Sequence, residues 1–204
     1  LKRLLENILM LLPKNNLIAG VVGANGIGYV HLMQMIKSDY IDEIYLLGKN
    51  YSKTIDICKK FNKEFDIFIK PIKSALTMSK VVDFVSICTP NETHLELCEI
   101  FLKNDCYVLV EKPLFWEKKL SHLKVKEKCL NIFGIADGRL TVNYPISFLY
   151  KDIMTEVDFE NIKDFSFYYQ TRGNKVGNEI AVDLLPHAFS LLLKFVEVSK
   201  IKIE

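Results

Sequence analysis

Val81 to Leu114 reads VVDFVSICTPNETHLELCEIFLKNDCYVLVEKPL. The apolar run Phe84 to Cys88 has the length of a strand and meets a turn at Thr89-Pro90-Asn91. Leu95, Cys98, Phe101 and Leu102 then recur at helical spacing and give one apolar face. A polar break at Lys103-Asn104-Asp105 leads into a second apolar run, Tyr107 to Val110, which ends on Glu111-Lys112-Pro113. Strand, turn, helix, strand is a βαβ unit, and it implies a parallel sheet covered by helices. Polar residues follow both strands, and open parallel sheets bind ligands outside the carboxyl ends of their strands.

Upstream, Leu17 to Val22 is a short apolar run followed by Gly23-Ala24-Asn25-Gly26-Ile27-Gly28. The next segment predicts a helix with Ile27, Val30, Met33 and Ile36 as its buried face. A strand, a glycine-rich turn and a helix form the first unit of a dinucleotide-binding fold. The glycines allow a tight turn, and the helix N-terminus offers N–H groups to a pyrophosphate. In G-x-G-x-x-G the middle glycine lets the backbone approach the phosphate; here Asn25 fills that slot, with Gly26 beside it. Asn tolerates left-handed backbone angles, so the turn is expected to form. A structural turn without a ligand is the alternative.

Ile44 to Leu47 predicts the second strand, ending on Gly48-Lys49-Asn50-Tyr51-Ser52-Lys53. An acid about 20 positions past the glycines would bind the ribose 2′-hydroxyl of NAD. Gly48 occupies that slot, and the first acid beyond it is Asp56. Lys49, Ser52 and Lys53 suit a 2′-phosphate, which favours NADP; a solvated helix start is the competing reading. Tyr51, Ile55, Cys58 and Phe61 are expected to face inward on the following helix. Phe65 to Ile69 alternates and predicts an edge strand before Pro71. Ser74 to Lys80 reads as a short helical connector.

Downstream, Glu117 to Leu130 predicts a charged helix and Leu140 to Tyr144 a further strand. Past Tyr144 the pattern changes. Pro145 to Val157 fits a helix, Lys163 to Gln170 an aromatic strand, Thr171 to Asn178 a loop, and Asp183 to Phe195 a helix with Ala188, Leu191, Leu192 and Phe195 inward. Ser199 to Glu204 alternates again. The fold class expected is α/β: a Rossmann-type parallel sheet followed by a partial α+β substrate domain. The boundaries expected are a helical extension at 1–16 (apolar at 1, 4, 5, 8, 11 and 12, ended by Pro13), the dinucleotide-binding domain at 17–145 and the partial domain at 146–204.

Composition narrows the function classes. Half of the 204 residues are apolar and a quarter charged, enough for a sizeable core. The net charge of +2 does not suggest a nucleic-acid or membrane partner. No apolar run reaches the roughly 18 residues a membrane span needs. The five cysteines lie in or beside apolar runs without paired metal-type spacing, so reduced thiols and a cytoplasmic location are expected, with no metal site. The chain begins with Leu rather than Met, as a fragment or processed product would.

Taken in order, GANGIG, CTPNETH, VLVEKPL and DLLPH resemble the Gfo/Idh/MocA (glucose–fructose oxidoreductase / inositol dehydrogenase) family over about residues 17–196. The resemblance implies a Rossmann domain joined to an open-faced α/β substrate domain. It implies hydride transfer between NADP, or NAD, and a sugar, polyol, nucleotide-sugar or related carbonyl or imine compound. The family lysine maps to Lys112 and its Asp-x-x-x-His pair to Asp183 and His187, the implied catalytic set. The implied cofactor-binding set is Gly23, Asn25, Gly26, Ile27, Gly28, Lys49, Asn50, Thr89, Pro90, Asn91, His94, Glu111 and Lys112. Thr89, Pro90 and Asn91 would line the nicotinamide ribose.

A strand-end lysine would stabilise charge developing on a substrate oxygen, and a histidine titrating near neutrality suits proton transfer. Asp183 precedes His187 by one helical turn, so one face can carry both. Asp183 has a competing role as an N-cap, because Pro186 is best tolerated in a first turn. Glu111 reads as structural or as a partner for Lys112, and His94 as a residue that holds the Thr-Pro-Asn turn. His31 and His122 read as helical residues without a role; Tyr144 and Tyr168 are candidates to face a substrate. The expected partner is a small-molecule substrate, and assembly as a homo-oligomer is left open by the sequence. Two rival readings stand: a non-catalytic dinucleotide-binding module, favoured by Asn25 and by Asn143-Tyr144-Pro145 where the family carries an Arg-aromatic pair, and a truncated family member.

Overall fold

The computed structural model describes residues 2–10, 12, 16–146, 168 and 178–194. They fall into two compact units, Leu1–Asn143 and Tyr144–Glu204. The expected helix at 145–157, the strand at 163–170, the loop at 171–178 and the alternation at 199–204 lie wholly or almost wholly outside the described residues. Phe195 lies outside them too.

In the first unit the chain runs α1 (Lys2–Met10), β1 (Leu17–Val22), α2 (Ile27–Ile36), β2 (Ile41–Leu47), α3 (Tyr51–Glu64), β3 (Phe68–Pro71), α4 (Ala75–Met78), β4 (Phe84–Ile87), α5 (His94–Leu102), β5 (Tyr107–Glu111), α6 (His122–Ala136) and β6 (Leu140–Asn143). The six strands pair in parallel in the order β3-β2-β1-β4-β5-β6. This is the doubly wound Rossmann order, and it brings the ends of β1 and β4 to the point where the winding reverses.

Alternation along the strands divides the core in two. Ala19, Val21, Ile44, Leu46 and Phe84 face a cluster that holds Leu4, Leu5, Ile8 and Leu9 of α1, Leu32 and Met35 of α2, and Phe61 of α3. Val22, Val85, Ile87, Val108 and Val110 face the other cluster, with Cys98, Phe101 and Leu102 of α5 and Ile132 and Ala136 of α6. Central strands covered on both faces read as near-continuous apolar runs, which is why their sequences are so plain. β3 is an edge strand, as its alternation and Pro71 suggest. On it, Ile69 N–H donates to Asn62 Oδ1 (2.8 Å) and Asn62 Nδ2 donates back to Ile69 O (2.9 Å), so a side chain satisfies both backbone groups of Ile69.

Several boundaries and faces differ from expectation. The buried face of α2 is Gly28, His31, Leu32 and Met35, whereas Ile27 and Val30 are 45% and 43% exposed. The helix is turned because Gly28 must abut the glycine turn and the buried His31 finds polar partners beneath. On α3, Thr54 rather than Tyr51 faces inward. β3 begins at Phe68, since Phe65 still closes α3 through Phe65 N–H to Phe61 O (2.9 Å). α6 begins at His122 rather than near Glu117, because Ser121 caps it by accepting from Lys124 N–H.

The second unit is described through α7 (Asn178–Leu192). It begins five residues before Asp183, so Asp183 lies inside the helix and the N-cap role is corrected. Pro186 also lies inside it. A proline there removes one helical hydrogen bond without ending the helix, so it did not mark the first turn. His187 and Leu191 are buried, and Ser190 Oγ donates to His187 O (2.8 Å).

Candidate active site

The carboxyl ends of β1, β2, β4, β5 and β6 carry the site residues of the first unit. The start of the turn after β1 is anchored to the strands on both sides. Gly23 N–H donates to Leu47 O (2.8 Å), and Cys88 N–H donates to Val22 O (2.9 Å). Gly23 has φ +87° and Gly26 φ +55°, so the left-handed angles fall on glycines and Asn25 is not required to supply one. Asn25 instead contributes its carbonyl, which accepts from Gly28 N–H (3.0 Å).

The glycines also make space. A Cβ on Gly23 would stand 2.9 Å from Cys88 O, and one on Gly28 would overlap the Gly23 carbonyl. A Cβ on Gly26 would meet nothing within 4 Å. The turn is thus pressed against β4 on one side and open on the other. α2 starts at this opening with no side-chain cap and no acid in its first turn. Open space before an uncapped helix N-terminus fits the pyrophosphate of a dinucleotide. Asn25, Gly26 and Ile27 are exposed at that opening.

At the end of β2, a Cβ on Gly48 would stand 2.5 Å from Thr54 Oγ1. Thr54 is buried, and its hydroxyl donates to Asn50 O (2.8 Å), so it does not yield. The position where an acid would meet a ribose 2′-hydroxyl therefore has no room for a side chain. Asn50 caps α3, its Oδ1 accepting from Lys53 N–H (3.0 Å), which occupies that oxygen with the helix. Lys49, Ser52 and Lys53 are exposed. Lys73, just beyond β3, holds its Nζ 5.1 Å from the centre of the Tyr51 ring. Lys73 carries no signal in the sequence, since it is distant from Lys49 and joins this corner only through the β2–β3 pairing.

The Thr89-Pro90-Asn91 turn is braced to the segment after β5. Thr93 Oγ1 donates to Pro90 O (2.8 Å) and so accepts from Thr89 Oγ1 (2.7 Å). Asn91 Nδ2 donates to Trp116 O (2.8 Å). The ring of His94 is 1% exposed, with Nε2 2.8 Å from Thr89 O and Nδ1 3.0 Å from Pro113 O. Holding the turn is the work expected of it. As a direct cofactor ligand His94 is corrected, since its ring is buried and both nitrogens face backbone carbonyls.

Lys112 immediately follows β5, half-buried, and the Lys112–Pro113 peptide is cis. Beneath it runs a buried polar chain absent from the expectations. Ser86 Oγ lies 2.6 Å from His31 Nδ1, His31 Nε2 lies 2.8 Å from Glu111 Oε1, and Asn143 Nδ2 donates to the same oxygen (2.5 Å). Burial works to raise the Glu111 pKa. The hydrogen bonds from His31 and Asn143 and the nearby positive charge of Lys112 outweigh it and hold the carboxyl below its ordinary range. Glu111 is 8% exposed, so its carboxylate serves the network rather than a ligand in the open cleft. One signal was available for His31: it shares the i, i+3, i+4, i+7 stripe of Gly28, Leu32 and Met35.

Cys88 is no nucleophile, because burial pushes its thiol up to about 12. All five cysteines are free thiols. Among the described residues no group of three or more His, Cys, Asp or Glu is arranged to hold a metal, and no helix is long and apolar enough to cross a membrane. Asp183 is partly exposed and His187 buried on α7 of the second unit.

Residues 17–132 match a family model described as the GFO_IDH_MocA oxidoreductase family with an NAD-binding Rossmann fold. No curated protein matches the sequence. Among solved structures, the chain is similar to a dehydrogenase (MviM) from Clostridium difficile, with 21% identity and TM-score 0.56 over 71% of this chain and 45% of that one. It is similar to the UDP-N-acetylglucosamine 3-dehydrogenase GnnA from Acidithiobacillus ferrooxidans, with 19% identity and TM-score 0.54 over 70% of this chain and 42% of that one. A third is a variant of KijD10, a 3-ketoreductase from Actinomadura kijaniata in complex with TDP-benzene and NADP, with 19% identity and TM-score 0.52 over 69% and 42%. The chain thus spans less than half the length of these structures, and likeness at such identity shows the fold.

Proposed function

The chain belongs to the Gfo/Idh/MocA family of oxidoreductases with an NAD-binding Rossmann fold, and from that premise we propose that it binds NADP, or NAD, and serves hydride transfer to or from a sugar, polyol, nucleotide-sugar or related carbonyl or imine compound. The observation that carries this is the glycine turn, closed against β4 and open at Gly26, with Lys112 immediately after the strand next to β4. The bound cofactor would supply the hydride chemistry. Gly23, Gly26 and Gly28 shape the pyrophosphate cradle, with Asn25 and Ile27 at its rim. Thr89, Pro90 and Asn91 form the braced wall beside it.

Preference for NADP rests on the blocked position at Gly48 and on the cations Lys49, Lys53 and Lys73 around the same corner. Lys112 would place a positive charge beside the substrate oxygen, His187 would take or give the hydroxyl proton, and Asp183 would orient the substrate or the imidazole.

The test is a fluorescence titration of the purified chain with NADPH and NADH, followed by a screen of sugars and carbonyl compounds. Tight NADPH binding, turnover, and loss of turnover in Lys112→Ala are expected. Normal turnover in Lys112→Ala would remove the catalytic assignment. Nucleotide binding with no turnover on any substrate class would favour a non-catalytic binding module, and binding of neither nucleotide would overturn the reading.

A further inference from the structure

The chain from Ser86 through His31 and Glu111 to Asn143 draws on four elements: α2, β4, β5 and β6. Ser86, His31, Asn143 and Glu111 are 0%, 1%, 3% and 8% exposed. Because Glu111 is held as a carboxylate, it can only accept, so His31 Nε2 and Asn143 Nδ2 both donate to its Oε1. The other ring nitrogen of His31 meets a hydroxyl, which can donate or accept. Buried polar networks of this kind contribute little net stability compared with a well-packed apolar replacement, but their bonds restrict geometry; here every bond to His31 and Glu111 Oε1 is made, while the buried Asn143 Oδ1 has no partner among the described residues.

Its location indicates what is fixed. His31 lies on the helix whose first turn faces the pyrophosphate cradle. Glu111 is covalently next to Lys112, and Asn143 is its strand partner on β6. The network therefore sets the distance between the glycine turn and the end of β5. The β2–β3 corner, with Lys49, Lys53 and Lys73, contributes nothing to it.

We propose that His31 is a positioning residue: by fixing the Glu111 carboxylate it holds Lys112 in register with the glycine turn, so that the nicotinamide half of the dinucleotide, and not the adenosine half, depends on it. The proposal rests on reading the site as a dinucleotide site. It separates two kinds of affinity that a merely structural role would lower together.

The experiment compares NADPH with 2′,5′-ADP, its adenosine half, by calorimetry on the full chain (NADH with ADP if the wild type prefers the unphosphorylated cofactor). The variants are His31→Leu, His31→Gln and Glu111→Gln. Leu102→Ala, in the α5 core, serves as a destabilised control outside the network. Glu111→Gln and His31→Leu are expected to lower the affinity ratio of NADPH to 2′,5′-ADP by about fivefold or more, with 2′,5′-ADP itself unchanged within about twofold. His31→Gln, which keeps one donor toward Glu111, should fall between them and the wild type, and it and Glu111→Gln carry the test if His31→Leu does not fold. An unchanged ratio, a parallel loss of both affinities, or an equal effect in Leu102→Ala would overturn the positioning role while leaving the dinucleotide site standing. Failure of the wild-type chain to bind either nucleotide would overturn both.

Discussion

The two ends of this sheet's ligand edge are built by different physics. At the β4–β5 end, side chains from three strands and a helix meet in short buried hydrogen bonds, and the loops above are tied together by His94 and Asn91. At the β2–β3 end, the backbone is closed off at Gly48 and the remaining chemistry is a set of exposed lysines. One end is built from buried, mutually hydrogen-bonded side chains. The other attracts through charge, which water and salt weaken. A dinucleotide laid across both would be held in place by the first and selected by the second.

That contrast can be broken most severely at the turn between the ends. Gly28→Ala puts a methyl group into the Gly23 carbonyl, and a backbone neighbour cannot move aside. A loss above about 4 kcal/mol in urea unfolding is expected, together with loss of nucleotide binding. His31→Leu comes next. It leaves the buried Glu111 carboxylate short of a partner and should cost about 3–4 kcal/mol by the same measurement.

The isosteric Glu111→Gln sharpens the electrostatic side. The Glu111 pKa is depressed below 4.5 in the folded chain. Its charge therefore contributes stability in full above about pH 4.5, and that contribution is lost as pH falls through the lower folded value. Unfolding midpoints of wild type and Glu111→Gln should accordingly converge on the acid side.

At the other end the effects should be smaller and of a different kind. Lys73→Ala is expected to weaken NADPH by about threefold to tenfold, less at high salt, and to leave NADH unchanged. An equal loss for NADH would show that Lys73 does not read the 2′-phosphate. Gly26→Ala completes the series. The new methyl group enters open space, so only the backbone angle (φ +55°, ψ −118°) is strained, at about 1–3 kcal/mol.

The same contrast separates what sequence could show from what it could not. Strand runs such as Phe84–Ile87 and Tyr107–Val110 stand out because a central parallel strand is apolar on both faces. The glycine turn and the Thr-Pro-Asn turn stand out because they are local. The face of α2 did not, because Ile27, Val30, Met33 and Ile36 form a more apolar stripe than Gly28, His31, Leu32 and Met35. The choice between them was made by the close approach of Gly28 to Gly23 and by Ser86 and Glu111, which are remote from the helix in sequence. Pro186 misled for a related reason. A proline's local cost is real, yet α7 carries it in its interior. Lys73 and Asn143 gain their places only when strands pair, whereas Thr54 is set by its local hydrogen bond to Asn50 O.

The strand order also bears on how the chain acquires its site in time. β1, β2 and β3 pair with near neighbours in sequence, and so do β4, β5 and β6. The seam between β1 and β4 does not: Ile18 N–H donates to Asp83 Oδ2 (2.9 Å) across 65 positions. Long-range pairing must overcome loop-closure entropy first, so this seam is expected to close after the two halves have begun to form. Gly23 against Cys88, and His31 against Ser86, are both contacts across it. The glycine turn and the buried network are therefore expected to complete late in folding, and nucleotide binding during refolding would then report on the last step rather than on the appearance of helices.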